Sequence, residues 1–135
     1  MRRELEWRVR FRAGNRCEYC LMPERVDVLR CQVDHVIARQ HGGKTVFDNL
    51  ALSCAYCNAH KGPNLSGIDP KTKRMVRLFH PQKDRWPRHF RFRGAKIAGL
   101  TSIGRATIAV LGMNDAVNVN LRVALMEEGA CEFRP

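Results

Sequence analysis

Long apolar stretches are missing from this sequence. No run approaches the ~20 residues that a membrane-spanning helix needs, and the start, MRRELEWRVR, is charged where a secretory leader would be apolar. We therefore expect a cytoplasmic protein with no membrane segment. Internal repeats and low-complexity tracts are missing too, so the 135 residues are expected to form one domain with a modest core.

Acidic residues are few relative to basic ones. The 13 Asp and Glu are outnumbered by 24 Lys and Arg, which gives a net charge of +11. Such a surplus favours a polyanionic partner, because Lys and Arg neutralise phosphates and release their counterions. The charge therefore indicates a nucleic acid and leaves both DNA and RNA open. A ribosomal or chromatin-like protein, or a merely basic solvated surface, would have the same composition.

The cysteines are not arranged as in a secreted disulfide scaffold, because four of the six fall into two C-x-x-C pairs. These four are Cys17, Cys20, Cys54 and Cys57. They supply the thiolates that tetrahedral zinc prefers and leave no open coordination position, so the zinc would be structural. Ordinary buried thiols or a redox C-x-x-C are the alternatives. Cys31 and Cys131 have no evident partner and are expected to be core or incidental residues.

Apolar periodicity predicts the elements of the first half. Residues 2–13 have apolar positions at i, i+4 and i+8 and are expected to form a basic helix, although apolar alternation in the same segment leaves a strand open. Val26–Val36 suits two short strands, the second of which carries Asp34. Ser53–Lys61 is expected to be a helix with Ser53 as its N-cap and Gly62 at its end.

Hairpins and helices are predicted for the second half. Turn residues and alternation indicate hairpins over Ile68–Phe79 and Phe90–Leu100. Two helices are expected to follow, over Ser102–Leu111 and over Ala116–Glu128 with Asn114 or Asp115 as cap. An apolar stripe in the last helix, formed by Val117, Leu121 and Leu125, is interpreted as core, with a partner-binding face as the alternative. The fold class is therefore α+β.

Several polar residues between the cysteine pairs suit phosphodiester hydrolysis, which needs an activated water and charge stabilisation at the phosphate. Asp34 and Asn58 offer oxygen ligands for a hard cation such as Mg²⁺ or Mn²⁺. His35 follows Asp34 in an extended segment, points to the opposite face, and is the candidate general base. Asn49 is suited to orient a histidine or its backbone by hydrogen bonding.

Basic side chains in the same segment are candidates for DNA phosphate contacts. They are Arg39, Lys44 and Lys61. His60 and His41 are accessory candidates for metal, phosphate or DNA contact, with a solvent-facing histidine as the simpler interpretation of each. His80 and His89 are expected to be structural or to contact phosphate. Each residue alone is a weak signal, and it is their order within the cysteine frame that indicates a nuclease.

The segment CEYC…VDHVIARQHGGKTVFDNLALSCAYCNAHKG resembles the HNH endonuclease family. The resemblance implies a ββα-metal fold that grips DNA at the scissile phosphate. It also implies His35 as the base that activates water, Asn49 as the residue that positions that base, and Asn58 at the third position, where asparagine commonly replaces histidine and would bind metal with Asp34. The four cysteines match a structural zinc site found in many members.

The extension PNLSGIDP, LFHP, RWPRHFRF and GLTSIGRATIAVL resembles small stand-alone bacterial HNH proteins. We expect a single HNH nuclease domain with a basic N-terminal helix (1–16), a zinc-framed ββα-metal core (17–64) and an extension of hairpins and helices (65–135). The expected function is metal-dependent DNA cleavage that leaves 5′-phosphate and 3′-hydroxyl ends. A non-catalytic zinc-stabilised nucleic-acid-binding module is the alternative, and an adaptor that binds protein through its last helices is a third. The oligomeric state is left open between a monomer and a weak dimer.

Overall fold

The computed structural model describes residues 1–25 and 29–129, and its architecture is mixed α and β, which confirms the expected class. The helices are α1 (Arg3–Ala13), α2 (Ala55–Lys61), α3 (Trp86–His89), α4 (Ser102–Leu111) and α5 (Ala116–Glu127). The strands are β1 (Cys31–His35), β2 (Leu50–Cys54), β3 (Ser66–Ile68), β4 (Met75–Arg77), β5 (Phe90–Arg93) and β6 (Lys96–Gly99). They pair only as three antiparallel hairpins within the described ranges: β1 with β2, β3 with β4, and β5 with β6.

The N-terminal segment is helical, so the strand alternative was wrong. Val9 and Ala13 are buried on one face of α1, whereas Trp7 and Phe11 are exposed and stack on each other with ring centroids 5.4 Å apart. Spacings of four residues match the helical repeat, which decides between the two periods in this segment. The helix ends at Gly14, which has a positive φ of 65° that favours glycine.

The β1–β2 hairpin carries two of the predicted site residues, Asp34 and His35, at the end of β1. Cys31 pairs with Cys54 and His35 with Leu50, and every residue of β2 is buried. We expected two strands over Val26–Val36, and the described part of this segment contains one of them, β1. Val26 and Val28 lie outside the described residues. Cys131 lies outside them as well.

The predicted N-cap of α2 needs correction. Ser53 is still paired in β2, opposite Gln32, and cannot begin the helix. The cap is Cys54, whose Sγ accepts the backbone N–H of Cys57 at 3.4 Å. A ligand of the proposed zinc site therefore also starts the helix that carries Asn58.

Both hairpins and both long helices of the extension are confirmed. The turn between β3 and β4 is fixed by Asp69, which is fully buried and accepts hydrogen bonds from the Lys71 backbone and the Thr72 hydroxyl. Two nitrogens of Arg105 on α4 donate to the same carboxylate, each at 2.9 Å. At the start of α5, Asp115 occupies the N-cap position, whereas the Asn114 side chain bonds the backbone of Ile97.

The short helix α3 was not predicted, because its four residues are too few to show a helical period. It inserts Trp86 into the core, where the indole N–H donates to the Tyr19 carbonyl at 2.8 Å. Nearby, the Gln82 amide donates to the Glu18 carboxylate and to the Leu50 carbonyl. The extension is therefore bound directly to the cysteine-bearing segment.

Long polar side chains of other elements also reach main-chain carbonyls. Arg12 donates to the carbonyls of Phe47 and Leu50, which joins α1 to the β1–β2 region. Arg122 of α5, fully buried, donates to the carbonyls of Ala95 and Met113. These bonds tie distant parts of the chain together at their backbones.

The apolar stripe of α5 is only partly exposed. Leu125 is buried and Leu121 is half-buried against the core, whereas Val117 is 58% exposed. This pattern matches the core interpretation for most of the stripe and gives little support to an adaptor face. None of the helices in the described ranges has the length and apolar composition needed to cross a bilayer.

Candidate metal centre and active site

Four cysteine sulfurs converge at the junction of the N-terminal turn with β2 and α2. They belong to Cys17, Cys20, Cys54 and Cys57, all buried, and lie within 4.8 Å of one another. A tetrahedral zinc site with Zn–S bonds of about 2.3 Å has sulfur–sulfur edges of about 3.8 Å. The sulfurs of Cys20 and Cys54 are 3.9 Å apart. The cluster therefore has the ligand set and the size to bind zinc.

Ionisation of these four thiols would require a cation in the cluster. The pKa values of the Cys20 and Cys57 thiols are raised well above their ordinary value, first by their hydrogen bonds with Cys17 and also by burial. Four adjacent buried thiols cannot all ionise without a compensating positive charge, and a bound metal ion supplies it. Backbone N–H groups help: those of Cys20 and Cys57 donate to the sulfurs of Cys17 and Cys54 at 3.5 and 3.4 Å.

Asp34, His35 and Arg39 line one open cavity of about 320 Å³, next to the C-terminal end of α2 at Gly62 and Pro63. The hairpin positions the first two, since Asp34 is paired with Ala51 and His35 with Leu50. Nε2 of His35 lies 2.8 Å from the Thr45 hydroxyl. The structure thus brings the predicted base, carboxylate and one phosphate-contacting candidate together.

Asn49 is buried beside the loop that joins β1 to β2. Its side-chain oxygen accepts from the Ile37 N–H at 2.9 Å, and its amide nitrogen donates to the carbonyls of Ile37 and Lys44 at 3.0 and 2.9 Å. The loop closes so tightly that a Cβ at Gly43 would lie 1.8 Å from the Ile37 carbonyl oxygen. Asn49 therefore holds the backbone that follows His35, and no bond to the imidazole is among its contacts here.

Lys61 is not where we predicted it. We expected a phosphate contact, but the residue is only 4% exposed and its ammonium donates to the Val36 carbonyl at 2.7 Å. Burial lowers the pKa of Lys61, and the negative charge of Asp34 opposes that shift. The ammonium ties the end of β1 to α2. Asn58 lies one turn earlier on the same face of α2 and is half-buried, but it does not line the Asp34 cavity.

The remaining candidates differ in exposure. Arg39 and Lys44 are exposed, as expected for phosphate contacts. His60 is exposed and stacks on Tyr56, with ring centroids 4.0 Å apart. His41 is exposed in the loop. The two extension histidines, His80 and His89, are buried.

Sequence reasoning missed two contributors to this region. Thr45, whose hydroxyl contacts His35, is one ordinary loop threonine and has no distinguishing sequence signal. The structural bond of Lys61 could not be separated from a phosphate contact, because both interpretations use the same residue at the end of a helix. Only the folded position of Val36 distinguishes them.

Comparison with known families identifies the central segment. The family model of the HNH endonucleases matches residues 17–64. The match begins at Cys17, the first residue of the four-cysteine cluster (the cysteine cage), and ends just beyond α2. This match confirms, for residues 17–64, the family resemblance predicted from the sequence. Domains of this family act on nucleic acids, so a nucleic-acid partner is indicated. Searches among curated proteins and among solved structures found no match.

Proposed function

We propose that this protein is a metal-dependent DNA endonuclease that hydrolyses phosphodiester bonds in the cavity lined by Asp34, His35 and Arg39. One observation carries the proposal: a histidine and a carboxylate adjacent in sequence line the same open cavity, beside an exposed arginine, within an HNH domain. In this assignment β1, β2 and α2 form the ββα-metal unit of a single nuclease domain, and the cysteine cage holds a structural zinc that pins the unit.

His35 acts as the general base. We assign its ring proton to Nε2, donated to the Thr45 hydroxyl 2.8 Å away, so that Nδ1 keeps a lone pair for the attacking water. Histidine is the side chain that most often serves as a general base. Asn49 positions the base indirectly, because it holds both ends of the loop between His35 and Thr45.

Asp34 and Asn58 are the proposed ligands of the catalytic cation. Carboxylate and amide oxygens suit Mg²⁺ or Mn²⁺, which keep several waters. The cavity lined by Asp34 has room for a hydrated ion, and Asn58, which does not line this cavity, would contact the ion through one of its waters. When bound, such a cation supplies Lewis-acid stabilisation of the departing oxygen. Arg39 and Lys44, both exposed, bind flanking phosphates. Lys61 is assigned a positioning role instead, through its bond to the Val36 carbonyl.

The proposal is tested by incubating the purified protein with supercoiled plasmid. We expect nicked circles with Mg²⁺ or Mn²⁺ and intact plasmid in EDTA. Since EDTA can also strip zinc, the chelated protein is assayed again after Mg²⁺ alone is restored, with its zinc content measured. DNA binding without cleavage in either metal would reject the enzyme and leave a zinc-stabilised binding module.

A further inference from the structure

A second and larger cavity, of about 600 Å³, lies where the extension meets the HNH domain. Its walls come from the loop after His35, from the end of α2, and from the segment 77–84 of the extension. Val36, Ile37 and His41 of that loop line it, whereas Ala38 and Arg39 of the same loop line the Asp34 cavity. The two cavities therefore share a loop, and the proposed cleavage reaction leaves the second one unexplained.

The floor of this cavity is apolar. Val36, Leu78 and Phe79 are buried there, and Leu65 stands at the opening, 44% exposed. A cavity open to water with an apolar floor favours a flat apolar group, because stacking and burial of such a group release water from both surfaces. A nucleic-acid base offers such a surface on each of its two flat faces, while its polar edges stay available for hydrogen bonds.

The polar groups at this cavity are mostly hydrogen-bond donors or cations. Lys61 is only 4% exposed and uses its ammonium, which has three N–H donors, for a bond to Val36. His80 is 8% exposed, and its Nδ1 accepts the Gln82 N–H at 3.2 Å, so the neutral ring carries its hydrogen on Nε2. His41 and Lys83 are exposed at the rim.

The one carboxylate among the lining residues is already neutralised. Asp84 receives two hydrogen bonds from Arg77, at 2.7 and 2.9 Å, and one from the His80 backbone. Other polar groups of the wall, on His41, His80 and Lys83, supply positive charge and N–H donors, which suit a phosphate.

We propose that this cavity binds one nucleotide, with its base on the floor formed by Val36, Leu78 and Phe79 and its phosphate near His41 and Lys83. A volume of about 600 Å³ lies within the range of sites that enclose small ligands. The inference rests on the proposed function in one respect: because the cavities share a loop, the expected nucleotide is one unit of the DNA strand, displaced from the stack near the scissile phosphate. A free nucleotide has the same chemistry, and the two sources are separated below.

The strand source is tested with duplexes that carry 2-aminopurine at successive positions, since its fluorescence rises when it leaves the stack. Binding is measured without divalent metal, so the result does not depend on cleavage. We expect one position to brighten with the wild-type protein. Leu65→Trp, which fills the opening, should abolish this signal, whereas Ile68→Trp should keep it. Ile68 is a matched control because it is 48% exposed on the neighbouring strand β3 and does not line the cavity.

The free source is tested by calorimetric titration with dAMP and, separately, with inorganic phosphate. If the source is a free nucleotide, dAMP binds and no duplex position brightens. In either case Leu65→Trp should weaken binding about 10-fold, the value of one lost base stack. Lys83→Ala should weaken it as well, while Lys96→Ala, which removes an exposed lysine away from the cavity, should not. Melting temperatures establish that each variant is folded.

Two outcomes would overturn the nucleotide assignment. One is the absence of both a bright duplex position and dAMP binding. The other is equal affinity for inorganic phosphate and dAMP, since the apolar floor would then contribute nothing. Neither outcome depends on plasmid nicking, so a failure of this inference and a failure of the proposed endonuclease activity can be told apart.

Discussion

Asn49 and Lys61 act on the candidate site through main-chain atoms. Asn49 bonds the backbone of Ile37 and Lys44, and Lys61 bonds the carbonyl of Val36. All three of these residues follow His35 within the same loop. The position of the histidine is therefore set by buried amide and ammonium groups that need not touch the substrate. These groups lie immediately before β2 and on α2, not on the strand that carries the histidine.

Replacement of His35 by alanine should separate chemistry from folding. The His35 side chain hydrogen-bonds the Thr45 hydroxyl and lies at an open cavity. We expect His35→Ala to keep zinc, melting temperature and DNA affinity but to nick plasmid at least about 100-fold more slowly, the usual contribution of a general base. His60→Ala is the matched control, since that exposed histidine stacks on Tyr56 outside the cavity. Normal nicking by His35→Ala would remove the catalytic assignment.

At the scale of elements, periodicity predicted most of the extension and turn chemistry predicted its hairpins. Periodicity did not predict α3, because the conformation of its four residues depends on the burial of Trp86 and not on a local sequence pattern. It also placed the start of α2 too early, since the pairing of Ser53 in β2 overrides its capping preference. In the site, residue types identified the cage and the candidate base, but burial decided the role of Lys61.

The ion pair that joins the β3–β4 turn to α4, between Asp69 and Arg105, should stabilise the protein in a way that depends on pH. The two hydrogen bonds from Arg105 hold the pKa of Asp69 far below its ordinary range, so the folded protein keeps this carboxylate ionised where the unfolded chain takes up a proton. Its stabilisation is therefore present above pH ~4, the unfolded pKa, and is lost as the pH falls further. We expect Asp69→Asn to be less stable than wild type at pH 7, with the difference narrowing below pH ~4.

Urea denaturation of both proteins from pH 7 to pH 3 measures that difference. Asp84→Asn is a useful comparison, because its carboxylate also pairs with an arginine, Arg77 at the end of β4. A difference between wild type and Asp69→Asn that stays constant with pH would mean that the Arg105 pair contributes no ionic stabilisation to the turn.

The cysteine cage joins three elements, so its loss should affect the whole fold. Cys54 ends β2, caps α2 and supplies one sulfur of the cluster. Structural zinc contributes on the order of 10 kcal/mol to folding, comparable to the entire margin of a small domain. We expect Cys54→Ser to lose zinc and to unfold, as measured by zinc content and circular dichroism.

Cys31→Ala is the control for that change. Cys31 is buried but does not belong to the group of four cysteine sulfurs that lie within 4.8 Å of one another. Its replacement should cost about 1 kcal/mol and leave zinc bound. A folded, zinc-loaded Cys54→Ser would show that the cage is not what holds the domain.

For the whole molecule, the charge of +11 should dominate the affinity for DNA. About four or more phosphate contacts would lower the affinity by about 100-fold or more between 50 and 200 mM salt. Arg39→Ala and Lys44→Ala should each reduce the slope of log affinity against log salt by about 1. Fluorescence anisotropy with a labelled duplex measures both quantities. An affinity that does not change with salt would mean that readout of base or shape dominates.

The bonds from long side chains to main-chain carbonyls have a consequence for how mutations are tolerated. Arg122 donates hydrogen bonds to the carbonyls of Ala95 and Met113, and any residue at those two positions has the same carbonyl oxygen. Half-buried Ala95 should therefore accept most substitutions, while Arg122 should accept none. Lysine should fail as well, because its single ammonium nitrogen cannot occupy the positions of both guanidinium nitrogens that make these bonds. Scoring a saturation library for folded protein would reveal this asymmetry. Contacts of this kind would then be invisible to covariation, since only one of the two positions in each pair is constrained.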